Sequence, residues 1–171
     1  IVSLSGFDSN PADDLQLATL SQPSKTLFSL GNYDLTAANT FVATMSSFDN
    51  FGTPAKESKD LSTTSLVLGL KDAGSPGVVL KLKDANDKED SVLLTGVTGT
   101  EQFWKLNLAA LFDDIDLTKV TQIMVVLEKP RVPDPTSSLQ IRFGNHPFIP
   151  SVAPDPTQTA NDISLLTGIV S

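Results

Sequence analysis

Several residue types that support much protein chemistry are missing or rare in this sequence of 171 residues, which has no cysteine and one residue each of histidine, tryptophan and tyrosine. The absence of cysteine excludes disulfide bonds, thiolate metal sites and a cysteine nucleophile. A metal site built on several histidines is excluded as well. The sequence also lacks any run of about 18 apolar residues, so it predicts no transmembrane helix.

Basic residues are scarce relative to acidic ones. The chain carries 12 lysines and arginines against 20 aspartates and glutamates, which leaves a net charge of −8. A polyanion is held by clustered lysine and arginine side chains, and an acidic protein repels it. We therefore expect no nucleic-acid partner. The chain begins IVSLSG rather than with methionine, which indicates a processed chain or a segment cut to resemble one, and we expect the protein to be secreted, extracellular or at the cell surface.

The most informative stretch runs from residue 101 to residue 128 and is typical of strand, acidic turn and strand. In Gln102–Leu108 polar and apolar residues alternate, which predicts a half-buried strand with Trp104 in the core. The following strand, 119–128, has apolar residues on both faces. This pattern favours a central strand, or an outer face that another segment partly covers.

Short strands of the same kind follow one another from Ser62 to Phe143, with turns between them and no helix of normal length. Such a pattern predicts an all-β, antiparallel, jelly-roll-like β-sandwich. We assign residues 1–143 to this sandwich, with extra N-terminal segments before the clearest strands at 62–143. Residues 144–171 form a proline-rich, extended C-terminal tail with an apolar end, because proline cannot join a sheet interior.

The segments SLVLGLK, VVLKLKDANDK, FWKLNLAAL, DLTKVTQIMVVLE and LQIRF occur in this order within the same region. With them, residues Ser62–Phe143 resemble the galactose-binding-like β-sandwich, a jelly roll shared by many carbohydrate-binding modules. The resemblance implies a glycan site and a structural calcium as options. It fixes neither of them onto particular residues, because the matching positions are core and turn positions.

Catalytic groups are few. His146 is the only histidine, and it lies between a strand end and a proline, where a loop residue is the simplest interpretation. A glycosidase needs two carboxylates in a cleft, one with a raised pKa, whereas acids in surface turns stay ionised. We therefore predict a non-catalytic protein with no catalytic residue and no required cofactor.

A glycan site in a β-sandwich presents flat aromatic rings next to hydrogen-bonding side chains. The candidates in this sequence are Phe48, Asn50 and Phe51 in a turn-rich segment and Phe103, which lies opposite Trp104 in its strand. The alternative for each aromatic residue is ordinary core or edge packing. These four residues form the predicted glycan site.

Calcium prefers clustered oxygen ligands. Asp113, Asp114 and Asp116 lie close together in one turn and are the candidate calcium ligands. The other acidic run, Asp84–Asp90, lacks the central glycine and the twelfth-position glutamate of a calcium loop, and a hairpin turn explains it.

Both chain ends are short, apolar and partly typical of strands, and could pair with the sheet edge of another copy. The candidate assembly residues are Ile1, Val2, Leu4, Ile163, Leu165, Leu166, Ile169 and Val170. The alternative is that both ends fold back on their own domain.

The sequence therefore supports two functions. The first is a structural subunit of a surface layer, sheath or extracellular filament that binds copies of itself. The second is a carbohydrate-binding module that recognises a glycan.

Overall fold

The computed structural model describes residues 3–10, 15–24, 26–38 and 40–144, together with the backbone of residues 163–166. These residues form short helical turns and eleven β-strands. In chain order the strands are β1 (Ser3–Asp8), β2 (Thr19–Ser21), β3 (Leu27–Asp34), β4 (Phe41–Ser47), β5 (Ser65–Lys71), β6 (Gly77–Asp84), β7 (Glu89–Thr95), β8 (Gln102–Asn107), β9 (Val120–Glu128), β10 (Thr136–Phe143) and β11 (Ile163–Leu166). The one α-helix among the described residues is α1 (Leu108–Leu111), and Leu117–Lys119 and Lys129–Arg131 are 3-10 turns.

The strands form two antiparallel sheets packed face to face. The five-stranded sheet has the order β1-β4-β9-β6-β7, and the six-stranded sheet has the order β11-β8-β5-β10-β3-β2. Consecutive strands often lie in different sheets, so the chain crosses repeatedly between the two layers. The predicted all-β, antiparallel sandwich is confirmed.

The extra N-terminal segments supply edge strands. β1 pairs with β4 at one edge of the five-stranded sheet, and β2 pairs with β3 at one edge of the six-stranded sheet. Between them, Leu15 and Leu17 pack against the core. The N-terminal part of the chain therefore belongs to the sandwich.

The core lies between the sheets and consists of the inward-facing alternate residues of each strand. Its largest fully buried side chains are Tyr33, Phe112, Leu30, Leu35, Leu68, Leu70, Leu80, Leu82, Leu94, Leu106, Leu108 and Leu127. Trp104 is 4% exposed and belongs to this core, as its strand pattern predicts.

β9 has apolar residues on both faces because it is the central strand of its sheet, between β4 and β6. Ile123 and Val125 point into the core, whereas Met124 and Val126 belong to a separate apolar cluster on the outer face.

The described part of the C-terminal segment is β11, which pairs antiparallel with β8 at the edge of the six-stranded sheet. Most of the predicted tail, 145–162 and 167–171, lies outside the described residues, as does His146. None of the described helices has the length and apolar character needed to cross a membrane.

Candidate functional site

The outer face of the five-stranded sheet carries an apolar row that crosses every strand. The strand register aligns Phe7 with Ala43, Ala43 with Val126, Val126 with Val79, and Val79 with Leu93. We call these five residues the apolar stripe. Four interstrand gaps of about 4.8 Å make the stripe roughly 19 Å long. Its ends are the more accessible part, since Leu93 is 38% exposed and Phe7 is half-buried, whereas the three central residues are buried.

Larger side chains border the stripe. Phe41 packs edge-to-face on Phe7, with ring centroids 6.0 Å apart and ring planes at 74°. Met45 and Met124 lie opposite each other in the next row, on the other side of the stripe. The phenylalanines and methionines form one apolar cluster with the three central residues of the stripe, and this cluster is separate from the core. A ligand at the stripe would meet aromatic edges and polarizable sulfur atoms.

Polar residues follow on the side of the stripe away from Phe41. Ser5, Lys81 and Ser91 share the row of the two methionines, and Gln122 lies in the next row beside Lys83. The charged groups near the stripe are paired within the chain: Lys81 with Glu89 at 3.2 Å, Lys83 with Asp87 at 3.3 Å, and Arg131 with Glu128 at 2.9 Å. The face thus combines an apolar line with hydroxyl and amide groups and little unbalanced charge.

The outer side of the six-stranded sheet carries a groove of about 730 Å³. Ser29, Gln140 and Lys71 lie in one row across β3, β10 and β5 and contribute to its lining. The remaining lining residues are Asn32, Tyr33, Asp34, Asp72, Ala73, Gly99, Thr136, Ser137, Ser138 and Leu139. We call this cavity the polar groove. Its volume lies within the range of small-molecule sites.

A buried carboxylate organises one end of the polar groove. Asp72 is 1% exposed, and its Oδ1 accepts hydrogen bonds from the Gly74 amide at 2.7 Å, the Ser137 hydroxyl at 3.0 Å and the Tyr33 hydroxyl at 3.4 Å. Its Oδ2 has no hydrogen-bond partner in the described structure. Burial raises the pKa of Asp72, and these donors offset the rise only in part. Burial and the neighbouring carboxylate also raise the pKa of the Tyr33 phenol.

The predicted glycan residues fall on two different sheets. Phe48, Asn50 and Phe51 follow β4 of the five-stranded sheet, whereas Phe103 lies on β8 of the six-stranded sheet. Phe48 packs against the core and Phe51 is 58% exposed, with a left-handed φ of 57°. The loop therefore presents a single exposed ring, and Asn50 beside it accepts a hydrogen bond from the Gly52 amide at 2.7 Å. The glycan role of these residues stays a prediction.

Phe103 occupies the outer face of β8, opposite Trp104, as the alternation predicts. It is nevertheless only 5% exposed, because its ring lies over Gly69 on the neighbouring strand. The expectation of a ring facing solvent is wrong for this residue. Alternation locates a side chain on one face of a sheet, but the neighbouring strand determines whether that side chain is covered.

The candidate calcium ligands are only partly brought together. Carboxylate oxygens of Asp113 and Asp114 lie within 4.8 Å of each other and of one from Asp90 in β7. Asp116 instead accepts hydrogen bonds from the amide and hydroxyl of Thr118 and caps the 3-10 turn that follows. Calcium binding stays a prediction, with Asp90 the third acid of the cluster.

The candidate assembly residues that the structure describes lie within the sandwich. Leu4 belongs to β1 and packs against the core, and Ile163, Leu165 and Leu166 belong to β11. Ile1, Val2, Ile169 and Val170 lie outside the described residues. Both described terminal strands pair with sheets of their own chain, which is the fold-back alternative.

Phe7 and Phe41 are absent from the predicted site. Each is the single aromatic residue of a short strand, and the nearest asparagines in sequence, Asn10 and Asn39, do not by themselves indicate a site. The available signal was the pair of apolar residues on the second face of β9, which indicates that this face has apolar neighbours. The identity of those neighbours depends on strand order.

Comparisons with known proteins agree with this architecture. No protein-family model matches the chain, and no curated protein matches it either. Among solved structures, the agarase AgWH50C superposes with a TM-score of 0.52 and 8% identity over 75% of this chain. The match spans only 21% of the agarase chain. At this identity the likeness shows a shared fold alone.

Two further structures cover most of this chain at lower TM-scores. The family 11 carbohydrate-binding module of cellulosomal cellulase Lic26A-Cel5E from Clostridium thermocellum has a TM-score of 0.45, 9% identity, and coverage of 84% of this chain and 86% of the module. The family 30 carbohydrate-binding module of cellulosomal cellulase Cel9D-Cel44B from the same organism has a TM-score of 0.42, 16% identity, and coverage of 72% and 83%.

Proposed function

We propose that this chain is a non-catalytic, secreted carbohydrate-binding module whose apolar stripe binds a neutral polysaccharide chain. The observation that carries the proposal is the row from Phe7 to Leu93, which crosses the whole five-stranded sheet and is bordered by hydroxyl, amide and lysine side chains. A polysaccharide is a linear ligand with apolar CH faces and hydroxyl-bearing edges. The accessible groups that would contact those CH faces are Phe7 and Leu93 at the two ends of the stripe and the bordering Phe41 and Met45, because the three central residues are buried.

The charges support a neutral ligand. Lys81, Lys83 and Arg131 are each paired with a carboxylate of this chain. A polyanion would have to compete with these carboxylates and overcome the net charge of −8. Agarose and β-glucans, which are neutral, are therefore the first ligands to test. Agarose is included also because part of an agarase shares this fold.

Glycan binding ranks above self-assembly because of the terminal strands. A structural subunit that donates a terminal strand to a neighbouring copy needs that strand to be unpaired within its own chain. β1 and β11 both pair within their own chain, so neither is available to a neighbour in this conformation.

The experiment is affinity electrophoresis through gels containing agarose or a mixed-linkage β-glucan, followed by depletion assays on the insoluble polymer. Phe7→Ala and Phe41→Ala should each weaken retention, and the double variant should weaken it by at least about tenfold. Phe51→Ala is the matched control, because Phe51 is an exposed phenylalanine outside the stripe.

The outcomes separate the alternatives. Loss of retention only in Phe51→Ala would move the glycan site to the predicted loop. No retention of the wild-type chain on any neutral polymer would refute the proposal. Release of reducing sugar from the polymer would refute its non-catalytic part.

A further inference from the structure

The polar groove lies on the other sheet from the apolar stripe, and its lining side chains differ in kind. Its accessible groups are hydroxyls, two side-chain amides and two charged groups, whereas the nearby aromatic residues Tyr33 and Phe28 are buried at 1% and 2% exposure. A ligand in this groove would be held by hydrogen bonds rather than by ring stacking.

Three of these groups have no partner elsewhere in the described part of the chain. The side chains of Asn32, Lys71 and Gln140 make no hydrogen bond or ion pair with another described residue. Each amide offers both a donor and an acceptor, and the ammonium group offers donors. The groove thus has unused hydrogen-bonding groups on three neighbouring strands, β3, β5 and β10.

The backbone around these groups is fixed. Asn32 has a left-handed φ of 50°, and its backbone N–H donates to the Ser138 hydroxyl at 2.9 Å, where the pairing of β3 and β10 shifts by a bulge. Asp72 joins Tyr33, Ser137 and the loop after β5 beneath the same end of the groove. A preorganised polar site loses less entropy on binding than a mobile one.

The chemistry of the lining indicates the class of ligand. A sugar ring presents neighbouring hydroxyls, each of which is donor and acceptor at once, and amide side chains match both roles. The accessible charges, Lys71 and Asp34, have opposite signs, so the groove does not favour an anion or a cation. The Asp72–Ala73 loop and Gly99 add to the lining beyond the end of β5, which suits a short saccharide or a chain end.

We propose that the polar groove is a second carbohydrate site, which takes one or two terminal sugar units of a neutral glycan. This site goes beyond the apolar stripe and does not require binding there. Without an exposed ring, the dissociation constant for a short oligosaccharide is expected in the millimolar range.

Titration of isotopically labelled protein with short agarose- and cellulose-derived oligosaccharides, followed by heteronuclear NMR, tests the proposal. The side-chain amide signals of Asn32 and Gln140 should shift with ligand. Gln140→Ala should weaken this binding about fivefold, the effect of one hydrogen bond. Gln16→Ala is the control, because Gln16 is an exposed glutamine that belongs neither to the polar groove nor to the apolar stripe and its border.

Lys71→Gln provides a second variant in case Gln140→Ala disturbs β10, and the backbone spectrum reports whether each variant is folded. Shifts confined to the stripe, or equal affinity of the wild type and both groove variants, would overturn the second site and leave the stripe intact. Binding in the groove together with unchanged polymer retention by the Phe7 and Phe41 variants would support the second site and refute the stripe. No shift with any oligosaccharide at tens of millimolar would refute the groove as a carbohydrate site.

Discussion

The side chain of Asp84 accepts a hydrogen bond from the backbone amide of Asp116, with 3.0 Å between Oδ2 and the nitrogen. Its Oδ1 accepts from the amides of Asn86 and Lys88 at 2.8 and 3.0 Å. A single buried aspartate thus joins the β6–β7 hairpin to the turn that leads into β9. All three donors to Asp84 are backbone amides. The acidic run at 84–90 is therefore a hairpin in which Asp84 has a structural role.

Replacement of Asp84 should make the fold less stable at neutral pH. Burial alone would raise the pKa of Asp84, but the amides of Asp116, Lys88 and Asn86 outweigh it and hold the pKa below its usual range. A lowered folded-state pKa gives stability that is present above the unfolded pKa and is lost as pH falls through the folded one. Asp84→Asn should therefore cost about 1–3 kcal/mol near pH 7 and less in acid.

Urea unfolding at pH 7 and in dilute acid measures this difference. Asp113→Asn is the control, since Asp113 is an exposed acid of the neighbouring turn and its removal changes net charge equally. Equal unfolding free energies for the Asp84 and Asp113 variants at pH 7 would contradict the structural role.

Asp72 should show the opposite pH dependence. Burial raises its pKa, so the fold disfavours its ionised form. A raised folded-state pKa means that the wild type gains stability relative to Asp72→Asn as pH falls through that pKa towards the unfolded value. The difference in unfolding free energy between the wild type and each variant should be plotted against pH over the same acid titration. The slopes for Asp84→Asn and Asp72→Asn should have opposite signs. Slopes of the same sign would show that Asp72 is hydrated or paired in solution.

Gly69 should not tolerate a methyl group, because a Cβ there would lie 2.8 Å from Cε1 of the Phe103 ring. Gly69→Ala should cost about 1–3 kcal/mol through overpacking. Gly31→Ala is the matched control, since the nearest atom to a Cβ at that strand glycine is the Thr19 carbonyl oxygen at 3.6 Å. Thermal unfolding of both variants checks the contrast, and a similar melting temperature for the two would contradict the packing of Phe103 over Gly69.

Removal of the residues after Gly144 should increase self-association. β11 is a four-residue edge strand paired with β8, so the truncated chain would instead present the longer, six-residue edge of β8 with its hydrogen-bonding groups unpaired. Light scattering should find the full chain monomeric and the truncated chain partly oligomeric. Polymers of the full chain that disappear on truncation would instead favour the predicted assembly subunit, with the tail as its connector.

Strand character and face were predictable where alternation is clean. β8 and β10 bury the residues that the pattern assigns to the core, and β9 is the central strand that its two apolar faces indicate. These features depend on the period of the strand itself, which is a local property of the sequence.

The composition and period of the sequence determined that this chain forms a β-sandwich, that Trp104 is in the core and that thiol chemistry is absent. Only the tertiary structure decided which outer-face residues become neighbours. Phe7, Val126 and Leu93 lie on strands far apart in sequence, and hydrogen-bond register aligns them in one row. The same holds for Asp90 of β7, whose carboxylate lies near those of Asp113 and Asp114, and for Phe103, whose ring lies against Gly69 of the neighbouring strand. The order of the strands in each sheet determines these contacts. That order depends on the crossovers between the two sheets, which are set by long-range packing of the core and not by local sequence.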